Sequence, residues 1–514
     1  MENTKQNKLL TTYYNIKNSK TIENINRFTC SFWGIFTLAC ITFLTYLLAI
    51  EIVMYSLVCL YTIYICLFSK DFLPLVPLFV FCYIAPSYKN NPGRNAESIF
   101  YGATGRAIVI IAIICTIAIL LRIAFDKNMS FKKLFTQRLY LTISMLILGG
   151  AYLVSGIFCD IYSTIWINNL VFALLQFLSI FLLYFILAAT IDWKLASKDF
   201  LPYIAITAGF VICLQVIHLY MFHFRLDEFG NTTKDFIVTG WGISNNIAAM
   251  IVLTIPFAFY LACTKKNSAL YLSIASFFMV GTILTLSRAS FLVGIVIYIA
   301  CWFICLFKAQ NKKAFRITSI VIISLLLIFV AIFFKPIWEM CLRFLDIFRT
   351  DDNGNLAFDD ANRFKTYKTG LEIFANYPIF GGSFFARNFW PYQYSTLESF
   401  TSFFPARWHN TIIQLLTSTG IVGFLAYAYH RVKTVLLIVK KPTLGKVFIG
   451  ISILSFVGMS LLDCHMFNIG PVMFYSLMLI FAEKLYSAEP KQSTTENLKE
   501  SSEKTKKITK SKAK

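Results

Sequence analysis

Long unbroken runs of apolar residues alternate with short polar connections along most of this chain. The runs are roughly 18 to 25 residues long, the length at which an α-helix crosses the ~30 Å hydrocarbon core of a bilayer. Lipid offers no water to backbone amides, and a helix satisfies those amides within one segment. A membrane β-barrel would instead show ~10-residue segments of alternating hydrophobicity. The pattern therefore predicts an all-α, polytopic bundle of transmembrane helices.

Fourteen candidate spans follow from these runs. They are centred near residues 40, 60, 79, 115, 148, 177, 209, 252, 277, 298, 325, 420, 454 and 477. The first two share one apolar stretch, 30–68, which only Glu51 divides, so one bent helix and two short helices both fit it. The predicted total is therefore about 12 to 14 spans.

The spans divide the chain into five predicted parts. These are a cytoplasmic N-terminal segment (1–29), transmembrane helices 1 to 11 (30–334), a long extracytoplasmic loop (335–408), transmembrane helices 12 to 14 (409–486) and a disordered basic cytoplasmic tail (487–514). The tail is a mixture of Lys, Ser, Thr and Glu, too polar to form a core. The first 30 residues lack an apolar core followed by a cleavage site, so we expect the first helix to remain as an anchor.

Orientation follows from the Lys and Arg content of the short loops, which is highest on the cytoplasmic side. The loops at 126–138, 191–199, 264–267, 308–316 and 431–446 carry 17 basic residues, whereas those at 87–106, 158–163, 220–241, 284–289 and 464–468 carry 6. The first set is therefore predicted to be cytoplasmic. With fourteen spans, both termini are cytoplasmic and the 335–408 loop lies outside.

The net charge of +21 would suggest nucleic acid if it lay on one soluble face. The basic residues lie in loops between apolar runs, so membrane orientation explains them and no nucleic-acid partner is expected. The 13 cysteines show neither zinc-finger nor CxxC spacing. Cys159 and Cys464 both fall near the outer face, and whether they pair is open.

The loop from Lys335 to Trp408 is far longer than the other connections, and such loops are usually functional or disordered. It holds an amphipathic stretch at helical spacing, then a turn with Pro378 and two glycines, then an aromatic-rich run over 384–408. Disordered segments are poor in aromatics, so we expect this loop to fold. Its aromatic run is either an interfacial belt or a platform for lipid or sugar.

Four polar stretches lie near the outer ends of apolar runs. They are Gly240-Trp241-Gly242-Ile243-Ser244-Asn245-Asn246; Thr285-Leu286-Ser287-Arg288-Ala289-Ser290; Ala361-Asn362-Arg363 with Tyr377-Pro378-Ile379-Phe380-Gly381-Gly382; and Arg407-Trp408-His409-Asn410 with Gln414 and Gly420-Ile421-Val422-Gly423. In this order, with one long outer loop before the His-Asn helix, they resemble the O-antigen ligase and O-antigen polymerase family of bacterial membrane proteins. The resemblance spans about residues 240 to 430. Residues 417–419 depart from it, because many relatives have an acidic residue there.

The resemblance implies a membrane glycosyltransferase that acts in surface polysaccharide biosynthesis. Its donor would be a glycan on undecaprenyl diphosphate, and its acceptor a hydroxyl of a glycan or lipid-glycan. The implied location is the bacterial cytoplasmic membrane, among membrane lipids, with the active site facing outward.

The chemistry of that reaction selects four residues. A general base must take the proton of the attacking hydroxyl, and His409 is the only histidine in or bordering the long loop. Fixed cations should stabilise the departing diphosphate, and Arg288, Arg363 and Arg407 lie in the outer region. Arg288 is flanked by apolar helices, where a buried charge costs ~2.5 to 3.5 kcal/mol. We therefore expect it to have a role other than setting the orientation of the helices in the membrane.

A metal-dependent mechanism would require clustered carboxylates. In the long loop these are Asp351-Asp352 and Asp359-Asp360. The intervening Asn-Gly-Asn resembles a calcium loop, but its glycine is misplaced and the downstream Glu is missing. We therefore expect no metal and no cofactor.

Two other classes of function compete with an enzyme. A transporter or flippase of lipid-linked oligosaccharide would place its charges near the bilayer midplane between related halves, whereas here they collect near one face. A scaffold without chemistry leaves Arg288 and the folded loop unexplained. The sequence does not separate ligase from polymerase, nor does it indicate the sugar, the acceptor or the oligomeric state.

The orientation generates a direct prediction. Single cysteines placed in the 335–408 loop of a cysteine-free variant should react with a membrane-impermeant thiol reagent in intact spheroplasts. Cysteines in the 308–316 loop serve as the control and should react only after lysis. The reverse pattern would place the long loop inside and remove the basis for an outer-face site.

Overall fold

The computed structural model describes residues 13, 15–87, 102–125, 139–158, 166–194, 196–225, 234–332, 363–389 and 405–487. Several predictions lie outside these residues. They concern segment 1–12, the tail from 488, Cys159 and so its pairing with Cys464, and the four aspartates of the long loop.

The described residues are almost entirely helical. The helices are α1 Lys20–Thr29, α2 Phe32–Leu47, α3 Glu51–Phe68, α4 Leu75–Ile84, α5 Gly102–Phe125, α6 Thr142–Ile157, α7 Trp166–Thr190, α8 Phe200–Phe222, α9 Ser244–Thr264, α10 Ser268–Leu284, α11 Arg288–Lys308, α12 Lys312–Ile332, α13 Arg363–Asn376, α14 Ala386–Phe389, α15 Thr411–Val439, α16 Leu444–Leu462 and α17 Ile469–Lys484. A 3-10 turn, His465–Phe467, joins α16 to α17. A two-stranded hairpin, β1 Val238–Thr239 and β2 Gly242–Ile243, precedes α9.

Among the described residues, eight helices are long and apolar enough to cross a membrane, or nine if α1 and α2, bent by 66° to each other, form one span. Each of the fourteen predicted centres falls inside one of the helices named above. The prediction of an all-α, polytopic membrane protein is confirmed. The total of 12 to 14 spans stays a prediction.

Helix α9 is the centre of the bundle. Within its most apolar window 94% of the residues are buried, and it packs against α8, α10, α11 and α16. Such burial on every side suits a helix that is apolar all round. Helix α5 is the opposite case, with 6% of its window buried and α3 as its main neighbour. Its exposed isoleucines and leucines suit contact with lipid.

Helix α15 is broken at Gly420, and the long loop fills the break. Gly420 has φ +61°, so the regular backbone bond from Ile421 N–H to Thr417 C=O is lost. The loop satisfies both groups, because Gly382 N donates to Thr417 O at 2.7 Å and Ile421 N donates to Pro378 O at 2.8 Å. Unpaired backbone groups are costly away from water. The hydrogen bonds formed at the break therefore attach the loop to the bundle.

The two backbones approach too closely here for any side chain. A Cβ on Gly420 would lie 2.3 Å from the carbonyl oxygen of Ile379, and a Cβ on Gly381, which has φ +77°, would lie 2.4 Å from the carbonyl carbon of Ser418. Both glycines belong to motifs singled out in the sequence, and this packing explains why those positions require glycine.

The chain after this turn enters the core of the bundle. The Asn169 side-chain oxygen accepts bonds from Phe384 N at 2.9 Å and Ser383 Oγ at 3.1 Å. The Phe384 ring is fully buried and contacts Tyr152 and Phe467. This part of the aromatic run is thus core, and neither predicted interpretation, an interfacial belt or a platform for lipid or sugar, describes Phe384.

One boundary prediction is wrong. The sequence suggests a cytoplasmic loop from 431 to 446, but α15 continues to Val439, so Arg431 and Lys433 are helical. Removing both from the inner sum leaves the charge asymmetry in the same direction. A loop that begins at 431 would also place His430 at the cytoplasmic end of its helix, but His430 lies within α15 and is fully buried, with Nδ1 3.2 Å from Ser144 Oγ and Nε2 2.8 Å from Tyr475 OH.

The packing at the break predicts that Gly420→Ala destabilises the protein by about 2 kcal/mol or more, because it adds both backbone strain and a clash with Ile379. Thermal unfolding in detergent would measure the loss, and proteolysis should cut the freed loop faster. Gly150→Ala is the matched control, since nothing lies within 4 Å of the added Cβ in α6. It should be neutral or slightly stabilising. Equal stability of the two variants would contradict this account of the break.

Candidate active site

Three of the four polar stretches meet around one carboxylate. The side chains come from the starts of α9, α11 and α15 and from the turn between α16 and α17, and they meet because α9, α11 and α15 each pack against α16. We call them the Asp463 cluster. Its members are Asn245, Asn246, Ser287, His409, Asp463, His465 and Asn468.

Asp463 is buried and lies at the centre of the cluster, at the end of α16. Its Oδ2 accepts a bond from Asn245 Nδ2 at 2.9 Å, and its Oδ1 accepts one from Cys464 N at 2.7 Å. His409 Nδ1 lies 3.5 Å from Oδ1, an ion-pair distance somewhat long for a hydrogen bond. Both carboxylate oxygens are therefore engaged by donors.

These contacts keep Asp463 ionised. Burial raises the pKa of a carboxyl group, but the interaction with His409 and the bond from Cys464 N–H stabilise the charged form more. The net pKa of Asp463 lies well below its usual range. An ionised carboxylate opposite Nδ1 favours the ring tautomer with a proton on that nitrogen, which leaves Nε2 of His409 as the basic atom.

His409 is held in an unusual backbone conformation between two supports. Its φ is +54°, in the left-handed region that non-glycine residues rarely occupy. Tyr367 OH from α13 donates to its carbonyl oxygen at 3.1 Å. The next residue, Asn410, caps α15 by accepting bonds from Ile412 N at 2.8 Å and Ile413 N at 3.2 Å. The fourth polar stretch, which begins α13, therefore contacts the cluster through Tyr367 of that helix. About 35% of the His409 side chain stays exposed.

A second layer of hydrogen bonds fixes the residues that hold Asp463. Ser287 Oγ donates to Asn245 Oδ1 at 3.0 Å, which orients the amide so that its Nδ2 faces the carboxylate. Asn468 Nδ2 bonds Asn246 Oδ1 at 2.6 Å and lies 3.3 Å from His465 Nδ1. Burial lowers the pKa of His465 more than the neighbouring Asp463 raises it, so its ring is neutral near pH 7. Only one negative charge is thus fixed in this network.

Two arginines lie beside the cluster. The guanidinium of Arg387, on α14, is 6.0 Å from the ring centre of Trp408. Burial lowers the pKa of Arg387, whereas its interactions with Cys464 and with the Asp463 carboxylate raise it, which places this cation within electrostatic reach of the carboxylate. The charge of Arg407, two residues before His409 in the chain, lowers the pKa of His465, so Arg407 also lies near the cluster.

The other two predicted arginines are placed differently. Arg288 is exposed at the first position of α11, directly after Ser287, so it lies at the rim of the cluster. Arg363 begins α13, but its side chain is outside the described residues. Its predicted role is untested.

Among the described residues, no group of three or more His, Cys, Asp or Glu side chains is arranged to hold a metal ion. The four aspartates of the long loop are not among them. Within the described part of the chain, cationic side chains near the cluster are arginines.

Sequence reasoning missed Asp463 and Arg387. Asp463 had a signal, because it is the only acidic residue between Glu398 and Glu483, and an acid between two apolar runs is rare without a partner. Arg387 had no comparable signal. It reaches the cluster only because Ser383 and Phe384 anchor the loop in the core.

Residues 271–428 match the family model described as O-antigen ligase. This match confirms the resemblance predicted from the motifs, and it supports glycan transfer of the ligase or polymerase type. The matched region contains Ser287, Arg288, Arg387, Arg407 and His409, whereas Asn245 and Asp463 lie on either side of it. No curated protein matches the chain.

Proposed function

We propose that this protein, as a relative of the O-antigen ligases, transfers a glycan from undecaprenyl diphosphate to an acceptor hydroxyl on the outer face of the bacterial cytoplasmic membrane. The observation that carries the proposal is the pairing of His409 with the buried Asp463 beside Arg387 and Arg407. A base and fixed cations at one end of a membrane bundle are what this transfer requires.

His409 is the proposed general base. The acceptor oxygen attacks the anomeric carbon while Nε2 of His409 takes the hydroxyl proton, and the bond between the anomeric carbon and the phosphate oxygen breaks. Asp463 holds the Nδ1 proton and stabilises the imidazolium that forms. The 3.5 Å separation can shorten when that positive charge appears, as catalytic hydrogen bonds often tighten only in the reacting complex.

The arginines are the proposed diphosphate site. The leaving group carries charge that spreads as the bond breaks, and a guanidinium can bond two phosphate oxygens at once. Arg387 and Arg407 lie beside the Asp463 cluster and Arg288 at its rim, so a diphosphate between them would place its sugar near His409. Arg363 stays a further candidate from the same loop.

A transporter of lipid-linked oligosaccharide is the second candidate. It would be favoured by charges near the middle of the helices, at the junction of two related halves. The cluster instead lies at helix starts and in the turn after α16, which favours chemistry at the membrane surface.

Ligase and polymerase differ in what accumulates when the activity is lost. Deleting the gene in its host and separating the surface glycans by size distinguishes them: single-repeat material identifies a polymerase, and long chains retained on carrier lipid identify a ligase. Unchanged glycans of both kinds would contradict the proposed function.

The pair of His409 and Asp463 predicts two kinetic signatures. His409→Ala should lower kcat by ~10² to 10⁴-fold with donor binding nearly intact, because a base acts only in the transition state. Asp463→Asn should lower kcat on the order of 10²-fold, since it removes the charge that stabilises the imidazolium. Turnover of a lipid-linked donor by purified enzyme would measure both.

The matched control is His223→Ala, which removes a histidine at the end of α8 and should keep near-normal activity. His430→Ala is unsuitable because it would break two buried hydrogen bonds. Expression and membrane insertion must be equal across the variants. Normal turnover by well-inserted His409→Ala would show that the base is wrong and would favour the transporter.

A further inference from the structure

A cleft of about 510 Å³ opens at the end of the bundle opposite to His409. It is lined by Lys266, Gln310 and Asn311, from the loops that follow α9 and α11, and by Lys312 at the start of α12. Both helices start at the Asp463 cluster and are 21 residues long. At 1.5 Å per residue they are about 31 Å long, one hydrocarbon thickness. The cleft and the cluster therefore lie at opposite membrane surfaces.

The cleft is built from loops that are tied together. Gln310 N donates to the carbonyl oxygen of Ala262 at 3.1 Å, and Asn311 N donates to Ser268 Oγ at 3.0 Å. The same hydroxyl donates to Ala262 O at 2.7 Å. Asn311 Oδ1 also accepts a bond from Ala314 N at 3.0 Å at the start of α12. The spacing between the two loops is thus fixed by hydrogen bonds.

In the two loops that line the cleft, all of which the structure describes, the charged side chains are positive. Lys266 and Lys312 line the cleft, and three more exposed cations, Lys308, Lys313 and Arg316, lie within four residues of the lining residues in the chain. The sequence contains no Asp or Glu between Asp235 and Glu339, so neither loop supplies a carboxylate. The nearby Asp199 is paired with a different cation, Lys265. The cleft therefore suits an anion from outside the chain.

The surface next to the cleft is apolar. Leu270, Phe303, Phe307, Ile317 and Ile320 lie within three turns of the helix ends that form it, and each is more than 50% exposed. A soluble anion gains no binding free energy from such a surface. A lipid gains from both parts, with its phosphate at the cations and its acyl chains on the exposed rings and branched side chains.

We propose that this cleft binds the headgroup of an anionic phospholipid from the leaflet on its side of the membrane. The phosphate accepts hydrogen bonds from Lys266 and Lys312 and from the side-chain amides between them. The acyl chains lie along α11 and α12. The inference does not depend on the proposed glycan transfer.

The test uses the full chain purified in a neutral detergent. Phosphatidylglycerol, phosphatidylcholine and inorganic phosphate are titrated separately, and bound lipid is counted by native mass spectrometry alongside the unfolding temperature. The variant is Lys266→Gln/Lys312→Gln. The matched control is Lys194→Gln/Lys198→Gln, which removes two exposed charges from the neighbouring loop before α8.

Wild type and control should bind phosphatidylglycerol with similar affinity and unfold at a higher temperature in its presence. The Lys266→Gln/Lys312→Gln variant should bind it about 10- to 30-fold more weakly, the order expected for two cations at a lipid phosphate. Equal affinity in both double variants would overturn the proposal. If phosphatidylcholine binds as tightly as phosphatidylglycerol, the site is an apolar surface only. If inorganic phosphate stabilises the protein equally, the site binds small anions. Either result also overturns the proposal.

Discussion

A backbone amide inside a membrane bundle has no water to bond, and this constraint explains how the long loop and the helices form one unit. Helix α15 is broken at Gly420, and the turn at 378–382 bonds the Thr417 carbonyl and the N–H groups of Ile421 and Val422 that the break frees. The turn at 378–382 is therefore part of the packed structure of the bundle. Because the turn is fixed, α13 before it supports His409 through Tyr367, and the segment after it brings Arg387 to the cluster.

A second constraint is the cost of burying charge. Asp463 is a carboxylate in a nearly dry position, and such a group is tolerated only where donors engage its oxygens. Asn245 and Cys464 N–H are those donors, and His409 is close enough to add a proton when it becomes charged. The arrangement that stabilises the buried acid also orients the histidine, so the structural role of Asp463 and its proposed chemical role have one physical origin.

The two ends of the bundle differ in the arrangement of their charged side chains. At the His409 end, one buried carboxylate is surrounded by polar side chains from four helices or turns, with arginines beside it. At the other end, exposed lysines surround a cleft next to an apolar surface, without a carboxylate in either loop. The same helices, α9 and α11, connect both ends, which fixes the two sites about one membrane thickness apart.

The sequence by itself determined the fold class, the position of the helices and most of the cluster. Apolar run length is set by bilayer thickness, so all fourteen predicted centres fall in helices. Polar residues near helix ends singled out Asn245, Ser287 and His409, which the structure brings together. Tertiary structure alone decided that Asp463 faces His409, that Arg387 reaches the cluster and that part of the aromatic run is core. Those contacts join residues far apart in the chain, and their geometry depends on helix packing and on the break at Gly420, which no local pattern encodes. Only packing likewise revealed that His430 lies within the bundle, because a buried histidine and a helix-end histidine have the same sequence context.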